Sequence, residues 1–418
     1  MTQKKIPTAS YKGVRDFYPE DQFIQRYLFE TMARTAELYG YEEYSASILE
    51  SSELYKGKTS EEIVSEQTYS FVDRGGREVT LRPEMTPTVA RMVAAKKREL
   101  PFPLRLYSIP NVFRYERPQK GRLREHWQLN ADIFGIAGIE AEVEIIALAH
   151  CIMRAFGARE SDFEIHVSDR RLLEKIFTTL SLKDGEKKEV MGLLDKRTKI
   201  DDFEAKLNEH IGNERAETLI DALSRASSTA YLEELVSRLS NIHIRNIIID
   251  TSVVRGFDYY TGMVFEVFDS SPDNLRSLFG GGRYDNLLEM FGAEHVPAVG
   301  FGMGDVTARD FLETHDLLPE YAPATELVLC ILDESAINHA TALAEALRGE
   351  DVPVAVNYSL KRAKDQIQFA EKIGADFIIC IGKKEMETNE YTIKQLSSGR
   401  EKIVSASRIA DHMFSAMG

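Results

Sequence analysis

Arg255-Gly256-Phe257-Asp258-Tyr259-Tyr260-Thr261-Gly262 packs a cation, an acid, two phenols and two glycines into eight residues. It then runs straight into the apolar stretch Met263-Val264-Phe265-Glu266. Structural strands alternate apolar and polar residues and rarely open on so dense a polar cluster. A guanidinium beside two tyrosines at a strand entrance suits a pocket that binds something charged and flat. The plainer explanation is a Gly-rich turn whose tyrosines serve the core. Two constellations elsewhere in the chain decide against it.

The first is Phe113-Arg114-Tyr115-Glu116-Arg117-Pro118-Gln119-Lys120-Gly121-Arg122-Leu123-Arg124-Glu125-His126-Trp127-Gln128, which reads strand, loop, strand. From Arg114 to Arg124 there are five basic residues and one acid, in a chain of net charge −15. Pro118 and Gly121 put a turn in the middle, so the cations fan around a loop tip. Arginines at fixed positions suit bidentate phosphate contacts, and a basic tip suits nucleic acid. Arg114 lies on the strand between Phe113 and Tyr115, which predicts partial burial and a need for a partner.

The second is a glycine-rich pair, Gly280-Gly281-Gly282-Arg283-Tyr284-Asp285 and Pro297-Ala298-Val299-Gly300-Phe301-Gly302-Met303-Gly304. Glycines in strands let a ligand approach the backbone closely. Neither segment fits a Walker or Rossmann phosphate loop. Taken with the basic hairpin, they point to a nucleotide pocket on an antiparallel sheet.

The elements that must hold these groups follow from pattern. Asp21 to Leu38 reads as a helix from the spacing of Phe23, Tyr27, Leu28, Met32 and Leu38. Segments 68–72, 78–82, 104–109 and 111–116 read as strands, with a hairpin turn at Gly75-Gly76. Ala141 to Phe156 is a second long helix. Residues 171–240 are charged, proline-free and largely helical, an insertion between two halves of one mixed α/β domain. Strand-like sequence resumes at Ile247-Ile248-Ile249. A linker with two prolines follows at 317–325. Beyond it, strands at 326–332, 352–357 and 376–381 alternate with helices at 335–348 and 361–373, the pattern of a small domain with a parallel sheet.

Bulk properties bound the function. A chain of 418 residues is long for one core. No run of eighteen apolar residues is present to span a membrane, and no apolar segment follows the N-terminal lysines to make a secretion signal. Cys151, Cys330 and Cys380 sit singly in apolar runs and read as buried thiols of a reducing cytosol. The acidic net charge argues against indiscriminate nucleic-acid binding, while leaving room for a specific RNA held by local basic patches.

Together these residues resemble the histidyl-tRNA synthetases, of class II, over nearly the whole chain. The 255–262 segment is similar to their histidine-specific signature and the basic hairpin to class II motif 2. Gly280 to Asp285 and Pro297 to Gly304 resemble the second histidine-specific element and motif 3. Leu81-Arg82-Pro83-Glu84-Met85-Thr86 and Lys12-Gly13-Val14-Arg15-Asp16-Phe17-Tyr18-Pro19 resemble two further family signatures. The resemblance implies an α/β architecture. The catalytic domain would span 1–322 on a mixed, mainly antiparallel sheet with the helical insertion, and an anticodon-binding α/β domain would span 323–418. It implies L-histidine, ATP with Mg2+, and histidine tRNA as ligands, and a cytoplasmic homodimer.

Residue by residue, the resemblance gives Arg114 and Arg255 catalytic contacts to the ATP α-phosphate. Glu84, Thr86 and Gln128 would hold the ammonium and carboxylate region of histidine. Asp132 and Tyr260 would read the imidazole, with Tyr259 and Tyr284 lining the pocket. Glu116 would meet adenine and Arg122 the outer phosphates, with His126 and Gly302 completing the ATP site. Gln119, Lys120 and Arg122 would touch tRNA. Lys196-Arg197-Thr198-Lys199 is a candidate RNA contact that reads first as a solvated face. The loops near 352–364 are candidates for the anticodon, where the basic cluster Ser359-Leu360-Lys361-Arg362-Ala363-Lys364 reads equally as a solvated helix start.

Three positions depart from the family pattern. Asp305-Val306-Thr307 follows Gly304 where motif 3 ends in Leu-Glu-Arg, and the nearest arginine, Arg309, is rotated about 200° around a helix from the family position. His126 stands where a larger aromatic stacks on adenine, and Ser47 where motif 1 has proline. The altered motif 3 keeps an alternative open: a catalytically idle, histidine-sensing regulator of ATP phosphoribosyltransferase. An RNA-binding scaffold using only the C-terminal domain is a third reading. The full basic loop and the C-terminal domain favour the ligase.

Overall fold

The computed structural model describes residues 6–56, 67–117, 121–195, 197, 200, 202–225, 228–253, 259–274 and 276–417. The chain divides into two compact units, Met1–Asp16 with Ile24–Pro319 and Phe17–Phe23 with Glu320–Gly418.

Helix α1 (Pro19–Leu38), which belongs to the first unit from Ile24 onward, buries Leu28, Met32 and Ala36, a stripe at four-residue spacing. The short strand β1 (Glu42–Glu43) follows. Strands β2 (Leu49–Ser51), β3 (Tyr69–Val72) and β4 (Glu78–Leu81) form a small antiparallel sheet, with the one-turn helix α2 (Glu53–Lys56) after β2. Then come α3 (Thr86–Lys96), β5 (Leu104–Ser108), β6 (Asn111–Phe113), β7 (Glu125–Phe134), α4 (Glu140–Ala155) and β8 (Phe163–Asp169). After the helical segment lie β9 (Ile247–Ile249), β10 (Met263–Asp269), β11 (Ser277–Arg283), β12 (Ala298–Gly304) and α10 (Asp305–Thr314).

The main sheet has the order β1-β5-β7-β12-β11-β10-β8-β9, with β6 on the free end of β7. Only its two outer pairs, β1/β5 and β8/β9, are parallel. The mixed, mainly antiparallel sheet expected from sequence is therefore present. One face is closed by α1, α4 and α10 over a core that includes Ile145, Ile152, Phe265 and Phe311.

The helical stretch comprises α5 (Arg170–Thr179), α6 (Asp184–Asp195), α7 (Phe203–Ile211), α8 (Asn213–Arg225) and α9 (Ala230–Asn241). Asp169 caps α5 by accepting from the Arg171 N–H, and Thr229 caps α9 by accepting from the Leu232 N–H. Side chains from α5 to α8, including Phe177, Val190, Leu207 and Leu219, make a core of their own. The expected insertion over 171–240 is narrower than this: Leu232, Leu235 and Leu239 of α9 join the core under the sheet.

The second unit runs β13 (Leu327–Ile331), α11 (Ile337–Arg348), β14 (Val354–Asn357), α12 (Ala363–Lys372), β15 (Phe377–Ile381), α13 (Lys383–Thr388), β16 (Glu390–Gln395), β17 (Glu401–Ser405) and α14 (Ile409–Met417). Every residue of β13 is buried, as a central strand covered on both faces requires. The three strands expected to form a parallel sheet do so, and the sheet extends beyond them. β14-β13-β15 are parallel, but β16 and β17 continue the sheet antiparallel. Cys330 and Cys380, solitary in sequence, are register partners on β13 and β15, and both are free thiols.

Candidate functional site

Strand periodicity puts His126, Gln128, Asn130 and Asp132 on one face of β7. Beside that row lies β12, with Gly300 paired to Asp132 and Gly302 to Asn130. The glycines are there because the row lies across them. A Cβ on Gly300 would stand 2.1 Å from Asp132 Oδ1, one on Gly302 2.3 Å from Gln128 Nε2, and one on Gly304 4.0 Å from His126 Cδ2.

Gln128, Asn130 and Asp132 floor a pocket whose walls come from other elements. Glu84 in the turn before α3, Thr86 at its first residue, Arg114, Tyr259, Tyr260 and Tyr284 all line it. The Tyr259 hydroxyl donates to Glu84 Oε2 at 3.1 Å, and Gln128 Nε2 donates to Asn130 Oδ1 at 2.7 Å. Arg114 Nε is steadied by the Pro83 carbonyl at 2.9 Å. The expected strand over 111–116 ends at Phe113, so Arg114 lies one residue beyond it, still tied by its N–H to the Arg124 carbonyl at 2.9 Å.

Asp132 is the most telling group. Tyr284 donates its hydroxyl to Oδ1, while Oδ2 is buried with no hydrogen-bond partner. Burial raises the Asp132 pKa to about 7, the Tyr284 hydrogen bond only partly opposing it. Burial, and the Asp132 carboxylate beside it, push the Tyr284 phenol well above its ordinary range. A carboxylate with one free oxygen at the floor of a polar pocket is a strong acceptor awaiting an N–H donor.

At the other end of the row, burial and then the charges of Arg114 and Arg15 depress the His126 pKa to about 3. The ring is therefore a neutral, flat surface. Arg15 reaches this end through an ion pair with Asp305, the first residue of α10, at 2.6 Å. Asp305 is almost fully buried and also accepts from Gln25 at 2.9 Å and from the Trp127 N–H at 2.9 Å. Arg309 pairs with Glu313 at 2.9 Å along its own helix. Ser47 Oγ accepts from the Leu49 N–H at 3.2 Å, a local turn at the position of the family's proline.

Glu116 and Arg122, expected to meet different parts of ATP, pair with one another at 3.5 Å. Gly302 lines the pocket as expected. Arg255, Gln119 and Lys120 lie outside the described residues, as do Lys196, Thr198 and Lys199. In the second unit, Arg362 pairs with Asp365 at 3.2 Å just ahead of α12, as a solvated helix start would. Gly280, Gly300 and Phe301 of the glycine-rich pair line the pocket, and so does Asn130, which the sequence reading did not single out. The two-residue period joining Gln128 to Asp132 would have found Asn130. A separate open groove of about 700 Å³ beside α4 contains none of the expected residues.

Arg283, in the glycine-rich segment, has a supporting part. It is buried against Glu142, donates to Asp285 at 3.1 Å and to the Ile136 carbonyl at 3.1 Å, and so fixes the end of β11 beside Tyr284. Among the described residues no group of three or more His, Cys, Asp or Glu side chains could hold a metal ion, and no helix is long and apolar enough to cross a membrane.

Comparison with known proteins identifies the family. A family model for histidyl-tRNA synthetase matches residues 13–305, and one for an anticodon binding domain matches residues 326–413. A histidine–tRNA ligase of Leptospira biflexa is 45% identical over 416 residues, covering 95% of each chain. The solved histidyl-tRNA synthetase from a Nostoc species superposes with a TM-score of 0.78 at 22% identity, covering 99% of this chain and 100% of that one. A Bacillus halodurans structure described as an ATP phosphoribosyltransferase regulatory subunit/histidyl-tRNA synthetase has a TM-score of 0.71 at 22% identity, covering 90% of this chain and 99% of that one. At such identities these two structures speak to fold alone.

Proposed function

The chain belongs to the histidyl-tRNA synthetase family, and from that premise we propose that the pocket over β7 is its histidine and adenylate site. Its activity is that of a histidine–tRNA ligase, an aminoacyl-tRNA synthetase acting on histidine, ATP and tRNA. The observation that carries the site assignment is the unshared Oδ2 of Asp132 inside a pocket otherwise walled by tyrosines, Glu84 and Arg114.

Histidine enters with its imidazole toward Asp132 and Tyr260. A ring N–H donates to Asp132 Oδ2. Glu84, Thr86 and Gln128 take the ammonium and carboxylate, and Tyr259 and Tyr284 close around the ring. A site that pairs both ring nitrogens rejects analogues lacking them by roughly 10⁴-fold, because buried polar groups are then left unmatched.

ATP lies toward His126, whose neutral ring stacks on adenine, over Gly302, with Glu116 and Arg122 drawn from their mutual contact onto the nucleotide. Magnesium arrives with the triphosphate, as part of the substrate. A histidine carboxylate oxygen attacks the α-phosphorus, and diphosphate departs with the electrons of the broken P–O bond. A terminal ribose hydroxyl of tRNA then attacks the activated carbonyl, and AMP leaves. Arg114 and Arg255 hold the α-phosphate charge throughout. Phosphoryl transfer of this kind depends on positioning and electrostatics. Gln119, Lys120 and Arg122 meet the tRNA, and the protein works as a homodimer in the cytoplasm.

The regulatory reading loses its footing to the 45% identical ligase that aligns along 95% of the chain, and to the anticodon-binding match over 326–413. Charging of histidine tRNA with labelled histidine tests the assignment. The parent protein should charge, and Arg114→Ala should lower the rate roughly 10²- to 10³-fold, the usual effect of losing one contact to developing charge. Histidine binding without charging by the parent would return the regulator to favour.

A further inference from the structure

On the hairpin that carries Arg114, an aromatic and cationic cluster stands apart from the pocket chemistry. The Arg124 guanidinium lies 4.0 Å from the ring centre of Tyr115 and 5.6 Å from that of Tyr11. Its Nη1 donates to the Tyr11 hydroxyl at 3.0 Å, and Tyr69 meets Tyr115 edge-on with centroids 5.5 Å apart. Backbone bonds tie the parts together. The Arg124 N–H donates to the Gly13 carbonyl at 2.7 Å, and the Tyr115 N–H to the Gln67 carbonyl at 2.7 Å. Three segments far apart in sequence thus converge on one spot.

Yet Tyr11 is 60% exposed and Tyr115 49% exposed. None of the three rings belongs to an apolar core. Exposed apolar residues scattered singly need no explanation, whereas rings gathered around a guanidinium do. Tyrosine faces and guanidinium planes are the surfaces on which unstacked nucleobases settle, while a duplex keeps its bases stacked within the helix. The local charge agrees: five basic residues and one acid from Arg114 to Arg124, in a chain of net charge −15. Tyr115 also follows Arg114 directly, so any strand end entering the pocket passes close to it.

The geometry points to Tyr11, Tyr115 and Arg124 as a stacking platform for the unpaired 3′-terminal nucleotides of tRNA, a role that rests on the ligase reading above. Its residues are distinct from Gln119, Lys120 and Arg122, given above as contacts to tRNA.

Tyr115→Ser and Tyr115→Phe test it in two assays, tRNA charging at varied tRNA concentration and histidine-dependent exchange of pyrophosphate into ATP without tRNA. Tyr115→Ser should lower kcat/KM for tRNA about 5- to 150-fold, the range for losing one stacked base. Exchange should stay at the parent level, which also shows that the variant is folded. Tyr115→Phe keeps the face and should charge like the parent. In competition binding, the parent should prefer full-length tRNA over tRNA trimmed of its unpaired 3′ nucleotides, and Tyr115→Ser should lose that preference. Unchanged charging by Tyr115→Ser overturns the platform. So does a Phe variant as damaged as the Ser variant, or exchange that falls in step with charging. Absence of exchange in the parent would instead overturn the ligase reading.

Discussion

Two demands meet at Asp132: it must be buried to exclude water from the imidazole, and it must be charged to accept from it. Burial raises its pKa to about 7, so the site acquires its full acceptor strength only as the pH passes through that value. We predict that kcat/KM for histidine rises between about pH 6 and pH 8 and that Asp132→Asn flattens this limb. The same substitution should lower kcat/KM by roughly 10²-fold or more, since a buried hydrogen bond to a charged group is lost. Gly300→Ala should act on the same carboxylate without removing it. Its Cβ would stand 2.1 Å from Oδ1 and 2.7 Å from the Ala131 carbonyl, so Asp132 must move, and KM for histidine should rise. A KM equal to the parent's would refute that account. Glu84, Thr86, Gln128, Asp132, Tyr259, Tyr260 and Tyr284 were all legible in sequence, and all line one pocket. That legibility came from the resemblance to the family's signatures, while the residues' own pattern pointed only to the polar cluster around Tyr259 and Tyr260 and to the glycine-rich segment that holds Tyr284. Asn130 escaped because its importance comes only from its place in the strand row.

Among the elements, α10 is tied at its first residue by a buried carboxylate. Asp305 accepts from Arg15, Gln25 and the Trp127 N–H, joining the N-terminal segment and β7 to the helix start. Asp305→Ala should destabilise the protein by about 3 kcal/mol, the low end for a broken buried pair because Arg15 keeps some solvent contact. A urea midpoint unchanged from the parent would refute this. The helices α5 to α8 have a separate core, so Leu219→Ala should cost about 2–5 kcal/mol there. In hydrogen exchange it should loosen those helices while the main sheet keeps its protection. Equal loss in both would mean one cooperative core. Helix positions were readable from apolar spacing in α1 and from the charged, proline-free composition of 171–240, yet the division at α9 was not, since a buried leucine stripe does not say which partner buries it. β16 and β17 were missed for a related reason. Their residues are mostly polar or half-exposed, and only Tyr391, Ile393 and Val404 are buried, so as outer strands they lack the apolar run that marks β13 and β15.

For the molecule as a whole, the two ends of the β7 row pull stability in opposite directions with pH. His126, depressed to about 3, withholds a proton that the unfolded chain accepts below about 6.5, so its effect lowers stability as pH falls through that window. Asp132, raised to about 7, holds a proton that the unfolded chain gives up near 4, so its contribution is full in acid and is lost as pH rises toward 7. Between these values the two slopes oppose each other. Asp132→Asn should remove one of them, making stability rise with pH relative to the parent by up to about 1.4 kcal/mol per unit between roughly pH 4.5 and 6.5. Denaturant midpoints at the two ends of that range check it, and parallel pH curves for variant and parent would refute it. The measurement that bears most directly on the central claim is pyrophosphate exchange into ATP, without tRNA, across the standard amino acids. The account predicts exchange with histidine alone, lost in Asp132→Asn. Exchange with another amino acid, or full exchange by the Asn variant, would contradict a pocket that selects histidine through Asp132.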